Sequence, residues 1–184
     1  MISDDGDILT CAHVVLKNIK HIYGKLRVQI FELDKTYTAE ATVKHVDCRA
    51  DIAILHTSHD HFKNRKCSFR STPPIIGEPV DMLAHSMGLV DHSFASGFVR
   101  NCSWKDPYDQ RQLPFVLTSI DTCNGNSGAA IFDKNGQVLL MHMGALGANI
   151  GVSVNPYVIR KNEGEGNVEN IPGIKQLLFH DEKR

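Results

Sequence analysis

The tetrapeptide Gly125-Asn126-Ser127-Gly128 is the sharpest local signal in the sequence. Glycines on both sides of a serine allow the backbone to turn tightly beside the hydroxyl group. In such a turn the amides of Gly125 and Ser127 can point at one oxygen atom, with Asn126 between them, which is the geometry of an oxyanion hole. Many ordinary turns also contain glycine and serine, so the tetrapeptide needs partner residues elsewhere in the chain before it indicates catalysis.

A serine nucleophile requires a general base and a group that orients the base. His13 follows the apolar run Ile8-Leu9-Thr10, and Asp51 precedes the apolar run Ile52-Ala53-Ile54-Leu55. Taken singly, a histidine at the end of a strand is more often structural, and an aspartate before a strand more often forms a turn. Taken together, the order His13, Asp51, Ser127 is one of the known chain orders of a catalytic triad.

Short apolar runs separated by turn residues surround these sites, and helical periodicity is scarce. Asp133-Lys134-Asn135-Gly136 lies between two apolar runs, and its Asn-Gly pair predicts a β-hairpin. About a dozen such runs predict an all-β protein, built as a sandwich or as a pair of barrels. The proline-rich segment from Thr72 to Pro79 predicts the crossing between two halves.

The composition excludes several classes of partner. The 184 residues suffice for one domain or two small ones, and the formal net charge is −1. This balance argues against nucleic acid or an anionic membrane as a partner, and no apolar run has the length of a membrane span. Five cysteines cannot all pair, and the acidic start of the chain does not resemble a signal peptide. These features favour an intracellular compartment, or an organelle if the N-terminus is truncated.

Four segments of the chain, in order, carry a family resemblance. They are residues 6–15 (GDILTCAHVV), 50–55 (ADIAIL), 95–99 (ASGFV, with Gly88-Leu89 before it) and 124–128 (NGNSG). They resemble, in that order, the GxILTxxHVV, DLAVL, GL…TSGIVS and GNSGG segments of the HtrA/Deg branch of the trypsin-like serine proteases. The resemblance extends from about Ile2 to Val158, which is nearly the whole chain apart from the tail.

The resemblance implies the chymotrypsin-like fold, with two perpendicular six-stranded β-barrels and an active site in the cleft between them. Residues 1–71 are expected to form the first barrel and residues 72–158 the second. Residues 159–184 are expected to form a polar tail, with a short helix near Ile174-Lys175-Gln176-Leu177-Leu178. The family's first strand should precede Ile2, so we expect the first barrel to lack that strand.

The resemblance also implies a serine endopeptidase. His13 would take the proton of Ser127, Asp51 would orient the imidazole, and Gly125, Asn126 and Ser127 would form the oxyanion hole. Two departures from the family favour an alternative, a catalytically impaired trypsin-like scaffold that binds peptides or partner proteins. Ala129 replaces the usual glycine after the motif, and no PDZ-like sequence follows in this chain.

The substrate pocket has several interpretations. Asp121 stands six residues before Ser127, where trypsin-like enzymes carry a pocket carboxylate that favours Lys or Arg. Met141-His142-Met143-Gly144 instead resembles a strand of viral chymotrypsin-like cysteine proteases, which use such a histidine to recognise Gln or Glu. HtrA enzymes generally accept small aliphatic residues. Asp121 and His142 can also pair with each other, or be an ordinary turn residue and an ordinary strand residue.

The remaining expectations concern metals, cofactors and assembly. His56, His59 and His61 lie close in sequence but have no further ligands around them, so we expect no metal site and no cofactor. Cys123 is expected to be a free, buried thiol. The expected partner is a polypeptide substrate, and the resemblance to HtrA enzymes suggests a homotrimer.

Overall fold

The computed structural model describes residues 1–18, 21–32, 35–48, 50–88, 93–105, 115–147 and 149–154. Within these residues nearly all regular structure is β, as the sequence predicted. The strands are β1 (Asp7–Thr10), β2 (Leu16–Asn18), β3 (His21–Ile22), β4 (Leu26–Phe31), β5 (Thr36–Asp47), β6 (Ile52–His56), β7 (Pro79–Ala84), β8 (Ser93–Trp104), β9 (Phe115–Thr118), β10 (Ala130–Phe132), β11 (Val138–Ala145) and β12 (Gly151–Val154). One helical turn, α1 (Ala12–Val15), follows β1, and 3-10 turns cover Asp60–Phe62 and Ser86–Gly88. No helix of this part of the chain is long and apolar enough to cross a bilayer.

The first half of the chain is an open sheet. Its four strands have the order β1-β6-β5-β4 and are all antiparallel, while β2 and β3 form a separate two-stranded ladder. A barrel closes only when every strand is paired along both edges. Among the described residues β1 and β4 are each paired along one edge, so the first half is a half-barrel, in keeping with the expectation that the first barrel lacks a strand.

The second half is a closed barrel, as predicted. Its strand order is β10-β11-β12-β9-β8-β7, and β7 returns to pair with β10 through Ala130↔Leu83. The predicted hairpin connects β10 to β11, and Gly136 takes the left-handed φ of 73° that this tight turn requires. Alternate residues of β7 face inward, so Val80, Met82 and Ala84 are buried in the barrel core.

A second buried cluster joins the two halves. Met141 and Val154 of the closed barrel pack against side chains of the first half, namely Ile2, Cys11, Ala50, Ile52 and Ile54. Burial of an isoleucine or methionine side chain contributes roughly 1.5–3 kcal/mol, so this shared core fixes the halves against each other. The residues that follow β1 and precede β6 therefore meet the end of β11.

The boundary between the halves lies in a long connection. Strand β6 ends at His56 and β7 begins at Pro79, a span that contains the proline-rich segment. Within it, Arg70 N–H donates to the Val138 carbonyl and Val138 N–H donates to the Ser68 carbonyl. The boundary at residue 71 stays a prediction. The predicted tail, residues 159–184, with its short helix, lies outside the described residues.

Candidate functional site

The candidate base, His13, lies on the helical turn α1. The sequence predicted the end of a strand here, but β1 stops at Thr10 and the backbone then makes one turn of helix. Ala12 and Val15, three residues apart, face the core, which turns His13 outward. Its side chain is 50% exposed, so the imidazole is accessible from the solvent.

Asp51 holds His13 at two points. One carboxylate oxygen, Oδ1, accepts the backbone N–H of His13 at 2.8 Å, and Oδ2 lies 2.7 Å from Nδ1 of the imidazole. The carbonyl of Asp51 also accepts the N–H of Ala12 at 3.1 Å. Asp51 has a left-handed φ of 54°, which aspartate tolerates better than most residues. The ring orientation is thereby fixed, and Nε2 has no hydrogen-bond partner among the described residues.

The Ser127 turn packs against the end of β1. Gly125 and Gly128 have φ values of 96° and 85°, so both glycines are required for the backbone conformation. A Cβ atom on Gly128 would lie 2.5 Å from Oγ1 of Thr10, three residues before His13. The N–H of Gly128 donates to the His142 carbonyl at 2.9 Å. This close contact brings the turn from the second half beside the segment that carries His13.

The Ser127 hydroxyl does not bond to His13 in this structure. It donates to the Met143 carbonyl at 3.2 Å. The structure thus brings His13 and Asp51 into contact, whereas Ser127 joins the predicted set through backbone packing alone. Hydrogen bonds between a nucleophile and its base are often long or absent before a substrate is bound.

Two backbone amides of the predicted oxyanion hole are not used in hydrogen bonds within the described structure. Among the described residues no acceptor takes the N–H of Gly125 or of Ser127, while the N–H of Asn126 donates to the Cys123 carbonyl at 3.2 Å. The side chain of Asn126 is buried, and its Oδ1 accepts the hydroxyl of Ser86 at 2.8 Å. Ser86 was not predicted from the sequence, because only the fold brings it to Asn126.

Ser86 is itself anchored within the closed barrel. Its backbone N–H donates to the hydroxyl of Ser93 at 3.2 Å, and that hydroxyl donates to the Ala84 carbonyl at 3.1 Å. In the same loop, Met87 N–H donates to the carbonyl of Asn124 at 2.6 Å. The loop that follows β7 therefore supports the turn that precedes Ser127.

The predicted pocket residues differ in their surroundings. His142 is 2% exposed and lies opposite Ser153 on β12, and burial lowers the pKa of its imidazole to about 4. Asp121 is exposed, and within the described residues no hydrogen bond joins it to His142. Gly144 lies beyond an irregularity in the β11–β12 pairing, next to Met143. The proposed Asp121–His142 pair is therefore not formed here.

One group of three potential metal ligands occurs in the described part of the chain. Ligand atoms of Cys11, His13 and Asp51 lie within 4.8 Å of one another. The Cys11 thiol is fully buried, burial raises its pKa far above the ordinary range, and it donates to the His142 carbonyl at 3.3 Å. A protonated thiol is a poor ligand. With its thiol protonated, Cys11 is not a metal ligand, and the three residues are better described as a hydrogen-bonded His13–Asp51 pair beside a buried thiol.

The structure also describes the three neighbouring histidines after β6 and the predicted free thiol of Cys123. His56 Nδ1 lies 2.8 Å from the buried carboxylate of Asp7, whereas the rings of His59 and His61 stack on each other. Cys123 is free, as predicted, but it is exposed rather than buried. It lies on the outer side of the turn before Ser127, where Asn126 takes the buried position.

Comparison with known proteins finds similarity to peptidases in both a family model and individual relatives. A family model described as "Trypsin-like peptidase domain" matches residues 1–139. Two proteins named "Probable periplasmic serine endoprotease DegP-like", from Pseudomonas putida (strain W619) and Halomonas elongata, are 30% and 29% identical over 139 residues. Each match covers 76% of this chain and 27% of the relative, so the chain spans about a quarter of the length of these relatives.

Solved structures share the fold. The Rv3671c protease of M. tuberculosis, in an inactive form, has a TM-score of 0.69 and 25% identity, covering 91% of this chain and 82% of that chain. The serine endoprotease from Yersinia pestis has a TM-score of 0.66 and 18% identity, covering 88% of this chain and 54% of that chain. At 18% identity, the second likeness concerns the fold alone.

Proposed function

The chain belongs to the family of trypsin-like peptidase domains, and on that premise we propose that it is a serine endopeptidase of the HtrA/DegP type. Members of such a family act on polypeptides. The proposed catalytic residues are His13, Asp51 and Ser127, with the oxyanion hole formed by the amides of Gly125 and Ser127 on either side of Asn126. No cofactor takes part in this chemistry.

The proposed reaction begins with the Ser127 hydroxyl. In the proposed reaction this hydroxyl gives up its hydrogen bond to the Met143 carbonyl and donates to His13 Nε2 instead. Ser127 Oγ then forms a bond to the carbonyl carbon of the substrate while its proton passes to Nε2. The protonated imidazole next donates that proton to the leaving amine, which gives an acyl-enzyme. A water molecule repeats the sequence and releases the acid.

Two features stabilise the charges that develop. The carboxylate of Asp51 faces Nδ1 of His13, so it favours the tautomer with a free Nε2 and stabilises the imidazolium cation. The amides of Gly125 and Ser127, which have no acceptor in the described structure, donate to the oxyanion of the tetrahedral intermediate. Asn126, held by Ser86, keeps these two amides in one turn.

The observation that carries the proposal is the two-point contact between Asp51 and His13. A turn aspartate would bind backbone amides alone, and a structural histidine would be buried. Here one carboxylate binds both the backbone N–H and the ring of the same residue, and that ring is half exposed. This arrangement orients the imidazole and leaves its Nε2 without a hydrogen-bond partner among the described residues.

Cleavage of an unfolded polypeptide tests the proposal. The native chain should produce fragments whose new ends are defined by mass spectrometry, and Ser127→Ala should produce none while keeping its fold. Ser103→Ala, which changes an exposed serine of β8, is the matched control and should cleave normally. Equal turnover by the native chain and Ser127→Ala would remove Ser127 from the mechanism.

A second candidate function is supported by one observation. The Ser127 hydroxyl is engaged by Met143 rather than by His13, as in a trypsin-like scaffold that binds peptides without cleaving them. Such a scaffold would bind an unfolded polypeptide with equal affinity in the native and Ser127→Ala forms and release no fragments from either. The cleavage experiment therefore separates the two functions.

The compartment is also a proposal. No disulfide joins any of the five cysteines, all of which lie in the described residues, and Cys123 is exposed, which is typical of a reducing, intracellular environment. The similar DegP-like proteins are named periplasmic, which favours an exported location instead. Cell fractionation decides between them: recovery of the chain outside the cytoplasm would contradict the intracellular proposal.

We also propose a homotrimer, on the resemblance to HtrA enzymes alone. Sedimentation equilibrium of the purified chain should give three times the mass of 20.5 kDa. A single species at the mass of one chain would contradict this proposal without affecting the catalytic one.

A further inference from the structure

The backbone of the loop after β7 is in direct contact with Gly125, whose amide belongs to the proposed oxyanion hole. A Cβ atom on Gly125 would lie 2.5 Å from the carbonyl oxygen of His85 and 3.1 Å from the backbone nitrogen of Met87. No side chain fits at that separation, so this position requires glycine for space as well as for its φ of 96°. We call residues 85–88 the support loop. Its position therefore sets the position of the Gly125 amide.

The support loop has a backbone conformation that other parts of the molecule must hold in place. Met87 has a left-handed φ of 58°, and Gly88 follows it with a φ of 71°. Methionine seldom adopts this region, and such strain persists only where the surrounding contacts impose it. One of these contacts joins the loop to the turn before Ser127, since Met87 N–H donates to the Asn124 carbonyl at 2.6 Å.

A further contact comes from the first half of the molecule, through Phe31 at the end of β4. The ring centroids of Phe31 and His85 lie 4.8 Å apart, with an angle of 44° between the ring planes. Rings at this separation attract each other beyond the effect of the area that they bury. Phe31 is half-buried and pairs with Thr36 in the β4–β5 ladder. A side chain of the open half therefore supports a loop of the closed half.

The residue after Phe31 fixes this end of β4. The carboxylate of Glu32 forms an ion pair with Arg65, in the connection between the halves, and Glu32 N–H donates to the Lys35 carbonyl at 2.8 Å. Among the described strands β4 pairs with β5 alone, so these contacts replace the support that a second neighbouring strand would give. The Phe31 ring is thus held in place where it meets His85.

Resting on the proposed peptidase function, we propose that Phe31 is a positioning residue for the oxyanion hole. Its ring holds His85, and the His85 carbonyl in turn holds the Gly125 amide. Donors in an oxyanion hole accelerate the reaction only when they are in place before the charge develops. The Phe31–His85 contact therefore acts on the transition state rather than on the binding of the substrate.

Steady-state cleavage of a fluorogenic peptide tests this role. Removing an oxyanion donor outright lowers kcat about 10²–10³-fold, so displacing one by Phe31→Ala should lower kcat about ten-fold. The change in KM should stay below about two-fold. Phe31→Tyr keeps the ring and should retain most of the native kcat.

Tyr37→Ala is the matched control for the loss of a ring from the same pair of strands. The Tyr37 ring lies on β5 and stacks on His61, with 3.6 Å between the ring centroids, so its loss should leave kcat unchanged. Equal kcat in Phe31→Ala and Tyr37→Ala, or a change in KM alone for Phe31→Ala, would overturn the proposal.

A peptide aldehyde gives a readout that a purely structural role would not change. Ser127 Oγ adds to the aldehyde carbon, the serine proton passes to His13, and the aldehyde oxygen enters the oxyanion hole with its negative charge. The inhibition constant of the aldehyde should rise about ten-fold in Phe31→Ala, while that of the matching peptide alcohol, which Ser127 cannot attack, should not change. An equal rise for both inhibitors would contradict the positioning role.

A double variant tests whether the two rings act together. Phe31→Ala and His85→Ala break the same contact, so the kcat of the double variant should equal that of the weaker single variant. Losses that multiply would contradict the proposal. Phe31→Leu, with an expected loss of about three-fold in kcat, replaces Phe31→Ala throughout if the latter does not fold.

The same measurements separate this inference from the proposed function. A native chain that cleaves the peptide no faster than Phe31→Ala refutes the role of Phe31 and leaves the peptidase function standing. A folded native chain that cleaves no peptide refutes the function itself.

Discussion

The two halves of the molecule are both β-structures, but only the second half closes into a barrel. The second half is a closed barrel whose strands are all paired on both edges, while the first half is a four-stranded sheet with a small separate ladder. The proposed base and its orienting carboxylate belong to the open half, and the proposed nucleophile belongs to the closed one. An open sheet can still hold the proposed dyad, because Asp51 fixes His13 through local hydrogen bonds rather than through barrel closure.

The largest expected effect is the loss of the dyad in the open half. Asp51→Asn should lower kcat for peptide cleavage about 10⁴-fold, because the amide no longer holds the imidazole in the required tautomer. Asparagine tolerates the left-handed φ of 54° as aspartate does, so the fold should survive. The control Asp60→Asn, at an exposed acid in the connection after β6, should retain native kcat. A smaller loss than ten-fold for Asp51→Asn would remove Asp51 from the proposed mechanism.

The contact between the halves gives the next largest effect. Gly128→Ala should lower the free energy of unfolding by about 3 kcal/mol, since a left-handed residue gains strain and its Cβ meets Thr10 Oγ1. Gly136→Ala is a matched control, because Gly136 also has a positive φ but no atom within 4 Å of the added carbon. Chemical denaturation measures both; equal losses would show that the turn does not pack on β1 as described.

Acidification should lower the free energy of unfolding because of His142, which is buried in the closed half. The pKa of His142 is about 4 in the fold and about 6.5 in the unfolded chain, so the unfolded state binds the extra proton between these values. Stability is therefore full above pH 6.5 and falls as the pH drops, by about 2 kcal/mol between pH 7.5 and pH 5 from this group. His142→Gln should flatten that slope and His61→Gln, at an exposed position, should not. The slope of unfolding free energy against pH is the readout, and an identical slope in all three would contradict the burial of a neutral His142.

The smallest expected effect concerns Ser86, whose hydroxyl holds Asn126 in the turn that carries the proposed oxyanion-hole amides. Ser86→Ala removes the hydrogen bond to Asn126 and should lower kcat about five-fold with little change in KM. Ser86→Thr keeps the hydroxyl and should restore most of the rate, which a purely structural loss would not predict. Ser96→Ala, which removes an outer-face hydrogen bond to Asp81, is the control. An unaltered kcat for Ser86→Ala would show that Asn126 is held without it.

Part of the fold could be predicted from the sequence because the signals are local. The Asn-Gly turn predicted the hairpin after β10, and the alternating apolar runs predicted strands in both halves. The helical turn α1 could not be predicted, since four residues in one turn have no periodicity to detect. The first half was expected to lack one strand, but its division into a four-stranded sheet and a separate ladder could not be predicted, because barrel closure depends on pairing between strands that are distant in sequence.

In the candidate site, too, residues with a local sequence signal could be predicted and residues placed by long-range contacts could not. His13, Asp51 and Ser127 stood out because each lies in a segment that resembles a family motif. Ser86 had no such signal, since it reaches Asn126 only through the fold. One of the alternatives for the pocket, a pair between Asp121 and His142, is not formed, because Asp121 is exposed while His142 on β11 is buried in the barrel.

The central claim is that Ser127 is a nucleophile activated by His13 and Asp51, and its reaction with a fluorophosphonate tests this most directly. Peptide mapping by mass spectrometry after incubation at neutral pH gives the labelled residue and the rate of labelling. We expect one adduct, on Ser127 of the folded native chain, formed much more slowly in Asp51→Asn. A folded native chain without an adduct on Ser127, or equal labelling rates in the two proteins, would contradict the claim.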